Sequence, residues 1–254
     1  MQDFTNVAIT GASSGLGRAL ALGLAHPGVT LHLAGRDAGR LGQVAVTARA
    51  LGAAVMETVL DVTDAAATAA WIEAAAPTLV IANAGISAGP GDKNLESPAQ
   101  IRAVFATNVD GVFNTVLPAI TVMQKLPPGD GGLRGRIVII GSIAGLIASP
   151  ASPAYSAAKA ALDFWVSAAA PNAAKDGVGL TIVRPGFIRT PMTAGNPYKM
   201  PGLMDADQAA RIIIKGLQAR RTHITFPVWL AAFARFGNLF PKSLLANLPK
   251  KPAT

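Results

Sequence analysis

The sequence predicts a single α/β domain built as a doubly wound parallel sheet, with a C-terminal apolar and basic extension. Three observations carry this. Short apolar runs alternate with alanine-rich, helix-compatible segments along most of the chain. The first run, Asn6 to Thr10 (NVAIT), passes at once into the glycine turn GASSGLG and then into a helical ALALGLAHPG, a strand–turn–helix unit. The 254 residues are 51% hydrophobic and only 14% charged, enough to fill one large core and too apolar for a disordered chain.

The bulk properties narrow the chemistry. Without cysteine there is no disulfide and no thiolate metal site, which fits the cytosol. His26, His32 and His223 show no ligand spacing, so no metal is expected. The net charge of +8 suits an anionic cofactor, substrate or membrane; the basic residues are scattered and no nucleic-acid motif occurs, so nucleic acid is not expected. No apolar run reaches the roughly 18 to 20 residues that span a bilayer. MQDFTNVAIT lacks the basic-then-apolar order of a signal peptide. A cytoplasmic protein is expected, at most peripheral to the inner face of a membrane.

Taken in order, the elements justify the fold. In the first turn Gly11, Gly15 and Gly17 stand where the backbone must bend tightly and approach a pyrophosphate, with a helix amino terminus facing the phosphates. Gly11, Ser13 and Gly15 also spell the G-x-S-x-G elbow of α/β-hydrolases, with Asp205 and His223 following in the right order. That elbow follows a central strand after several others, whereas this one follows the first, so the hydrolase is rejected on placement. Val29 to Ala34 reads as the second strand, ending in Gly35-Arg36-Asp37, and a helical segment runs through about Leu51. The third strand, AVMETVL, ends in Asp61-Val62, and the fourth, Leu79 to Ala82, in Asn83-Ala84-Gly85.

Ser87 to Ser97 is a polar Gly/Pro loop before a helix that carries Asn108. Asparagine competes for backbone hydrogen bonds, so by itself Asn108 marks a helix irregularity. Leu126 to Arg134 is a surface turn, Arg136 to Ile140 the fifth strand, Leu180 to Val183 the sixth, and Asp205 to Ala219 a helix capped by its aspartate. His223 to Phe226 is the last strand. No repeat or linker signals a second domain.

The segment GSIAGLIASPASPAYSAAKA holds the chemistry. Pro150 and Pro153 keep its loop out of helix, and Ala154 onward is helix-forming. Tyr155 and Lys159 are four residues apart and share a helical face. A phenol releases its proton only near pH ~10, and an adjacent ammonium lowers that value, making tyrosine a usable acid/base. Ser142, at the strand end, supplies a hydroxyl for a substrate oxygen.

Tyr155-x-x-x-Lys159, a serine 13 positions upstream and TGASSGLG together resemble the short-chain dehydrogenase/reductase family, from about Val7 to Pro227. The resemblance implies a Rossmann-type domain over residues 1–227 and reversible hydride transfer between a nicotinamide and a carbonyl/alcohol pair. Its catalytic set falls on Asn108, Ser142, Tyr155 and Lys159, with Asn108 holding a water of the proton relay. The cofactor would meet Gly11, Ser13, Ser14, Gly15, Leu16 and Gly17, then Arg36, Asp61, Val62, Asn83, Ala84 and Gly85. It would also meet Tyr155, Lys159, Pro185, Gly186, Ile188 and Thr190. Gly35 replaces the acid that reads the ribose of NAD and Arg36 follows, which favours NADP over NAD; Ser14 lacks the basic side chain of some NADP-preferring relatives, and Asp37 would reverse the preference in a register shifted by one.

Residues 187–208 match the family's substrate lid. Met192, Tyr198, Met200, Leu203 and Met204 suit a lipophilic carbonyl substrate or ordinary packing. Relatives pair as homodimers or homotetramers through the helices of Asn108 and Tyr155. The extension, 228–254, carries Trp229, Phe233, Phe236 and Phe240 with Arg235, Lys242, Lys250 and Lys251. It suits an interface helix, a flap, or a peripheral membrane contact through 228–251. An NADP-binding regulatory or membrane-scaffold protein without turnover is the alternative function.

Overall fold

Strand β1 (Asn6–Thr10) is followed by α1 (Gly15–Leu24), β2 (Thr30–Gly35), α2 (Ala38–Ala50), β3 (Ala54–Val59) and α3 (Ala65–Ala75). After β4 (Leu79–Ala82) come α4 (Pro98–Phe105), a π turn over Ala106–Asp110, α5 (Gly111–Lys125), β5 (Gly135–Ile140), α6 (Pro153–Lys175) and β6 (Val178–Pro185). The chain continues through β7 (Ile188–Arg189), β8 (Met204–Asp205), α7 (Ala206–Gln218), β9 (His223–Phe226) and α8 (Val228–Gly237). These elements come from a computed structural model that describes residues 4–87, 95–196 and 199–237.

Seven strands form one parallel sheet in the order β3-β2-β1-β4-β5-β6-β9. Strands covered on both faces need not alternate apolar and polar residues, which is why β4 is apolar throughout and β1 and β5 carry the unbroken runs Val7–Ile9 and Ile137–Ile140. On one face Leu20, Leu41, Ile213 and Leu217 of α1, α2 and α7 close over Leu31 and Ile81. On the other, Ile72, Val116, Leu162 and Val166 of α3, α5 and α6 close over Ile137 and Ile139. The chain winds outward from β1 in one direction and from β4 in the other. The cleft opens between their carboxyl ends, where the winding reverses.

Several boundaries differ from expectation for physical reasons. The second strand runs one residue later than Val29–Ala34, so Gly35 is its tip. The third stops at Val59, and Leu60 already belongs to the loop. The sixth is longer than Leu180–Val183, because Arg184 and Pro185 continue the ladder to Thr225 and Phe226 of β9. Pro185 ends the strand, the following N–H, of Gly186, bonds the Phe226 oxygen, and the buried Arg184 guanidinium is paired with Asp163 of α6. Pro153 does not stay outside the helix; it is the first residue of α6, where its missing N–H costs nothing.

Asp205 sits at the N-cap position of α7 but does not cap it; its carboxylate pairs with Arg189 at 3.0 Å, across the β7–β8 contact. The helical stretch Pro98–Lys125 is, contrary to expectation, long and apolar enough to cross a membrane by length and composition alone. In the fold it is a layer helix: α5 packs on the sheet and α3, and Phe113 meets Trp165 of α6 edge to face with centroids 5.0 Å apart.

Candidate active site

At the end of β1 the backbone turns through Gly11 with φ +66° and enters α1 at Gly15 with φ +52°, the left-handed region that favours glycine. A Cβ on Gly11 would lie 2.9 Å from Ala84 Cα, and one on Gly15 2.9 Å from Thr190 Cγ2. Gly17 answers a different need. Its Cβ would stand 2.2 Å from the Gly11 oxygen, so this glycine packs α1 against the turn and does not line the cleft. Ser14, the N-cap of α1, makes no side-chain cap bond, and the first turn holds no acid. The amino-terminal N–H groups there, with Ser13, Ser14, Gly15 and Leu16 on the cleft wall, make a cradle for an anion.

Asn83-Ala84-Gly85 fastens the sheet beside this cradle. Asn83 Nδ2 donates to the oxygens of Thr10 (3.0 Å) and Gly11 (3.2 Å), and Thr10 Oγ1 accepts from the N–H groups of Asn83 and Ala84. Ala84 and Gly85 also face the cleft.

Toward the outer end of the cleft, Gly35 is close to Ser13 and leaves no acid at the strand tip. Arg36 is exposed and lies 3.8 Å from Asp61. Asp37 caps α2, accepting from Arg40 N at 2.9 Å and Arg40 Nε at 2.7 Å. Those bonds, the backbone one first, hold its carboxyl below the usual range. Asp61 is held low chiefly by the N–H of Thr63, and Val62 lies beside it on the wall.

The inner end holds the hydroxyls and the lysine. Ser142 Oγ accepts from Ala144 N at 3.0 Å, capping a short 3-10 turn, so its position is fixed while its hydrogen takes no part in that bond. Tyr155 lies in the first turn of α6 and Lys159 one turn on. Lys159 Nζ stands 5.7 Å from the Tyr155 ring centroid and donates to the Ile140 oxygen at 2.6 Å. The lysine is 4% exposed, and burial pulls its pKa from 10.5 to about 8. At neutrality it remains largely an ammonium.

Asn108 lies in the π turn, the irregularity its residue type announced. It is wholly buried behind the cleft, and its side chain clamps Ile86, accepting from the Ile86 N–H and donating to the Ile86 oxygen, both at 2.8 Å. Its neighbour Thr107 reaches the cleft wall.

Pro185, Gly186, Ile188 and Thr190 complete the wall on the far side. The expected lid is tied at its base, where β7 pairs with β8 and Thr193 Oγ1 donates to the Ile188 oxygen at 2.7 Å. Of its apolar residues Met192 faces the cleft, whereas Met204 packs on the core and Met200 lies beside Asn196. Tyr198 lies outside the described residues.

One cleft therefore gathers the catalytic and cofactor residues the sequence singles out, apart from the supporting Gly17 and Asn108. Sequence reasoning missed Arg40, Ile86, Thr107 and Thr193 on its wall. Arg40 was legible as Asp37's partner three residues on; the others carry no local signal. The hydrolase constellation is not assembled. Ser13 lies past the carboxyl end of β1, His223 is exposed at the amino end of β9, and Asp205 is engaged by Arg189.

A family model described as short chain dehydrogenase matches residues 5–200. An uncharacterized oxidoreductase of Myxococcus xanthus is 36% identical over 241 residues, covering 93% of this chain and 92% of its own. The crystal structure of a short chain dehydrogenase/reductase from Burkholderia phymatum in complex with NAD aligns with a TM-score of 0.81 and 26% identity, over 100% of this chain and 99% of that one. A short-chain dehydrogenase from Sphingobium yanoikuyae in complex with NADPH shares the fold, with a TM-score of 0.76 and 24% identity over 98% of each chain.

Proposed function

The chain belongs to the short-chain dehydrogenase/reductase family, NAD(P)-dependent oxidoreductases acting on CH–OH and C=O groups, and we propose that it transfers hydride reversibly between NADP(H) and a lipophilic carbonyl/secondary-alcohol pair. The observation that carries the proposal is the meeting of Ser142, Tyr155 and a buried Lys159 at one end of a cleft whose other end is a glycine cradle.

The cradle fits a dinucleotide. Side chains at Gly11 and Gly15 would collide with the opposite wall, and the uncapped start of α1 offers N–H donors to a pyrophosphate. Arg36 would hold the ribose 2′-phosphate, with Asp61 and Val62 at the adenine and Pro185, Gly186, Ile188 and Thr190 at the nicotinamide. NADP is favoured because Asp37 is already committed to capping α2, leaving Arg36 as the charged group nearest the strand tip. The Burkholderia phymatum protein holds NAD and the Sphingobium yanoikuyae protein NADPH, so the family's fold admits both.

The cofactor supplies or accepts the hydride. In reduction, Ser142 donates its hydroxyl hydrogen to the carbonyl oxygen and orients it. Tyr155 gives that oxygen its proton. Lys159, held by the Ile140 carbonyl, stabilises the tyrosinate left behind and would hold the nicotinamide ribose hydroxyls. Asn108, clamped on Ile86, would anchor a water through which Tyr155 is reprotonated.

Residues 1–227 form the catalytic domain, with 187–208 as its lid and 228–254 as an extension. The protein works in the cytoplasm as a homodimer or homotetramer, supported by the exposed Phe105 and Leu117 along the Asn108 helix and Phe164 on α6. The face of α8 opposite the buried Ala231 and Ala234 exposes Val228, Trp229, Phe233 and Phe236. From Val228 to Thr254 the sequence has Arg235, Lys242, Lys250 and Lys251 and no acid, which suits an anionic membrane surface. That face also supports a second reading, a membrane scaffold that binds NADP without turnover.

The test is Tyr155→Phe, assayed on a panel of carbonyls and alcohols alongside NADPH and NADH titrations by nicotinamide fluorescence. Turnover should vanish with NADPH affinity nearly unchanged. Retained activity would overturn the mechanism, and a wild type inert on the whole panel would favour the scaffold.

A further inference from the structure

Glu96 is a buried carboxylate with no part in the chemistry above. It is 7% exposed; Oε2 accepts from the Ala154 N–H at 2.8 Å, while Oε1 is buried without a hydrogen-bond partner among the described residues. Ala154 is the second residue of α6 and Tyr155 the third. The helix's own N-cap residue, Ser152, makes no side-chain cap bond. Within a helix the first N–H groups lack partners, and an N-cap normally supplies one. Here the cap comes from a residue 58 positions away in sequence.

The next residue, Ser97, caps α4 in a reciprocal capping box with Gln100. Glu96 and Ser97 thus finish two helix starts in succession. At the other end of the same stretch, Ile86 is clamped by Asn108 at both its N–H and its oxygen. Ile86, Val104, Val109, Ala154, Ala158 and Tyr155 pack together between these ties. Lys159 is secured separately, through Ile140.

We propose that Glu96 is a positioning residue for Tyr155, capping α6 from outside and setting both the place and the protonation of the tyrosine hydroxyl. Losing the cap frees the first helical turn, which moves Tyr155 against Ser142 while the glycine cradle stays intact. The charge acts in a second way. A helix amino terminus carries partial positive charge and favours an anion, here the tyrosinate. A carboxylate at that terminus offsets it and keeps the proton on the acid. Among the described residues, Lys159, on α6, is the cation facing Tyr155; the other charged groups of the cleft wall, Arg36, Asp37, Arg40 and Asp61, belong to its adenosine end.

The inference rests on Tyr155 being the acid, and the test separates the two. In the full-length protein, Glu96→Ala should lower kcat about tenfold, the scale of a lost cap, with NADPH affinity by fluorescence within about twofold of wild type. Glu96→Gln keeps an acceptor for Ala154 and should restore most of kcat. Without the charge, its alkaline limb for carbonyl reduction should move about half a pH unit down. If Glu96→Ala melts earlier but keeps wild-type kcat and pH profile, the cap is structural only and the proposal fails. Should Glu96→Ala not fold, the Glu96→Gln profile decides: a shifted limb supports the proposal and an unshifted one overturns it. An active Tyr155→Phe would instead sink the underlying mechanism.

Discussion

Lys159 is expected to lower the stability of the apoprotein at the pH where it serves catalysis, and the size of that cost follows from its burial. Its pKa is drawn from 10.5 to about 8 because the ammonium is shut away from water. The sign is that of a depressed lysine: the fold bears the full penalty below about pH 8, where the group is charged in both folded and unfolded chains. The penalty is relieved as the pH climbs through 8 toward 10.5, where the folded protein loses the proton first. At about 1.4 kcal/mol per unit the whole shift is about 3 kcal/mol. Of this, about 2 kcal/mol is recovered between pH 7 and 9.5.

Lys159→Met keeps the aliphatic stem and removes the charge. At pH 7 the variant should therefore be the more stable protein, less about 1–2 kcal/mol for the Ile140 carbonyl left without its donor. The decisive quantity is the difference between wild type and variant, which cancels the titrating groups that Lys159 does not touch; Tyr155, which it does touch, is replaced by Phe in both proteins. Urea unfolding of both apoproteins, followed by tryptophan fluorescence at several pH values, should show the protein that keeps Lys159 gaining about 2 kcal/mol on the variant from pH 7 to 9.5. A difference that stays flat to within about 0.5 kcal/mol would refute the burial argument. The variant should be inactive throughout.

Arg36→Ala should weaken NADPH about tenfold, the loss of one charge-assisted contact, and leave NADH unchanged; a fall in NADH affinity instead would put the specificity on the Asp37 side. Gly17→Ala should destabilise the fold by about 3 kcal/mol and abolish cofactor binding, since a Cβ 2.2 Å from the Gly11 oxygen must prise α1 off the turn. Gly195→Ala, with open space at its Cβ, is the matched control and should change stability by less than about 0.5 kcal/mol in denaturant titrations. Wild type should co-float with vesicles containing anionic lipid and not with neutral ones. Trp229→Ala with Phe233→Ala should abolish flotation and spare activity; equal binding to neutral vesicles would argue against the charge.

What the sequence disclosed and what it withheld divide along one physical line. The glycine turn, Tyr155-x-x-x-Lys159 and the apolar strands were legible because each is a local requirement: a left-handed φ, a shared helical face, a strand buried on both sides. Features that depend on a distant partner were not. Arg184 looks like the end of a strand until Asp163, on the neighbouring helix, neutralises it and lets the ladder run on to Pro185. Asp205 looks like a helix cap until Arg189 takes its carboxylate. Asn108 announces an irregular helix, but nothing local says that it will hold Ile86.

The start of α6 concentrates this division. Spacing determines that Tyr155 and Lys159 share a face, yet the two are held by different and remote acceptors, Glu96 through Ala154 and the Ile140 carbonyl through Nζ. Tyr155 is thereby tied through the start of its helix and Lys159 through its own side chain, at two ends of one helical turn. Reactivity of the pair should then respond to Glu96 although that residue touches neither hydroxyl nor substrate.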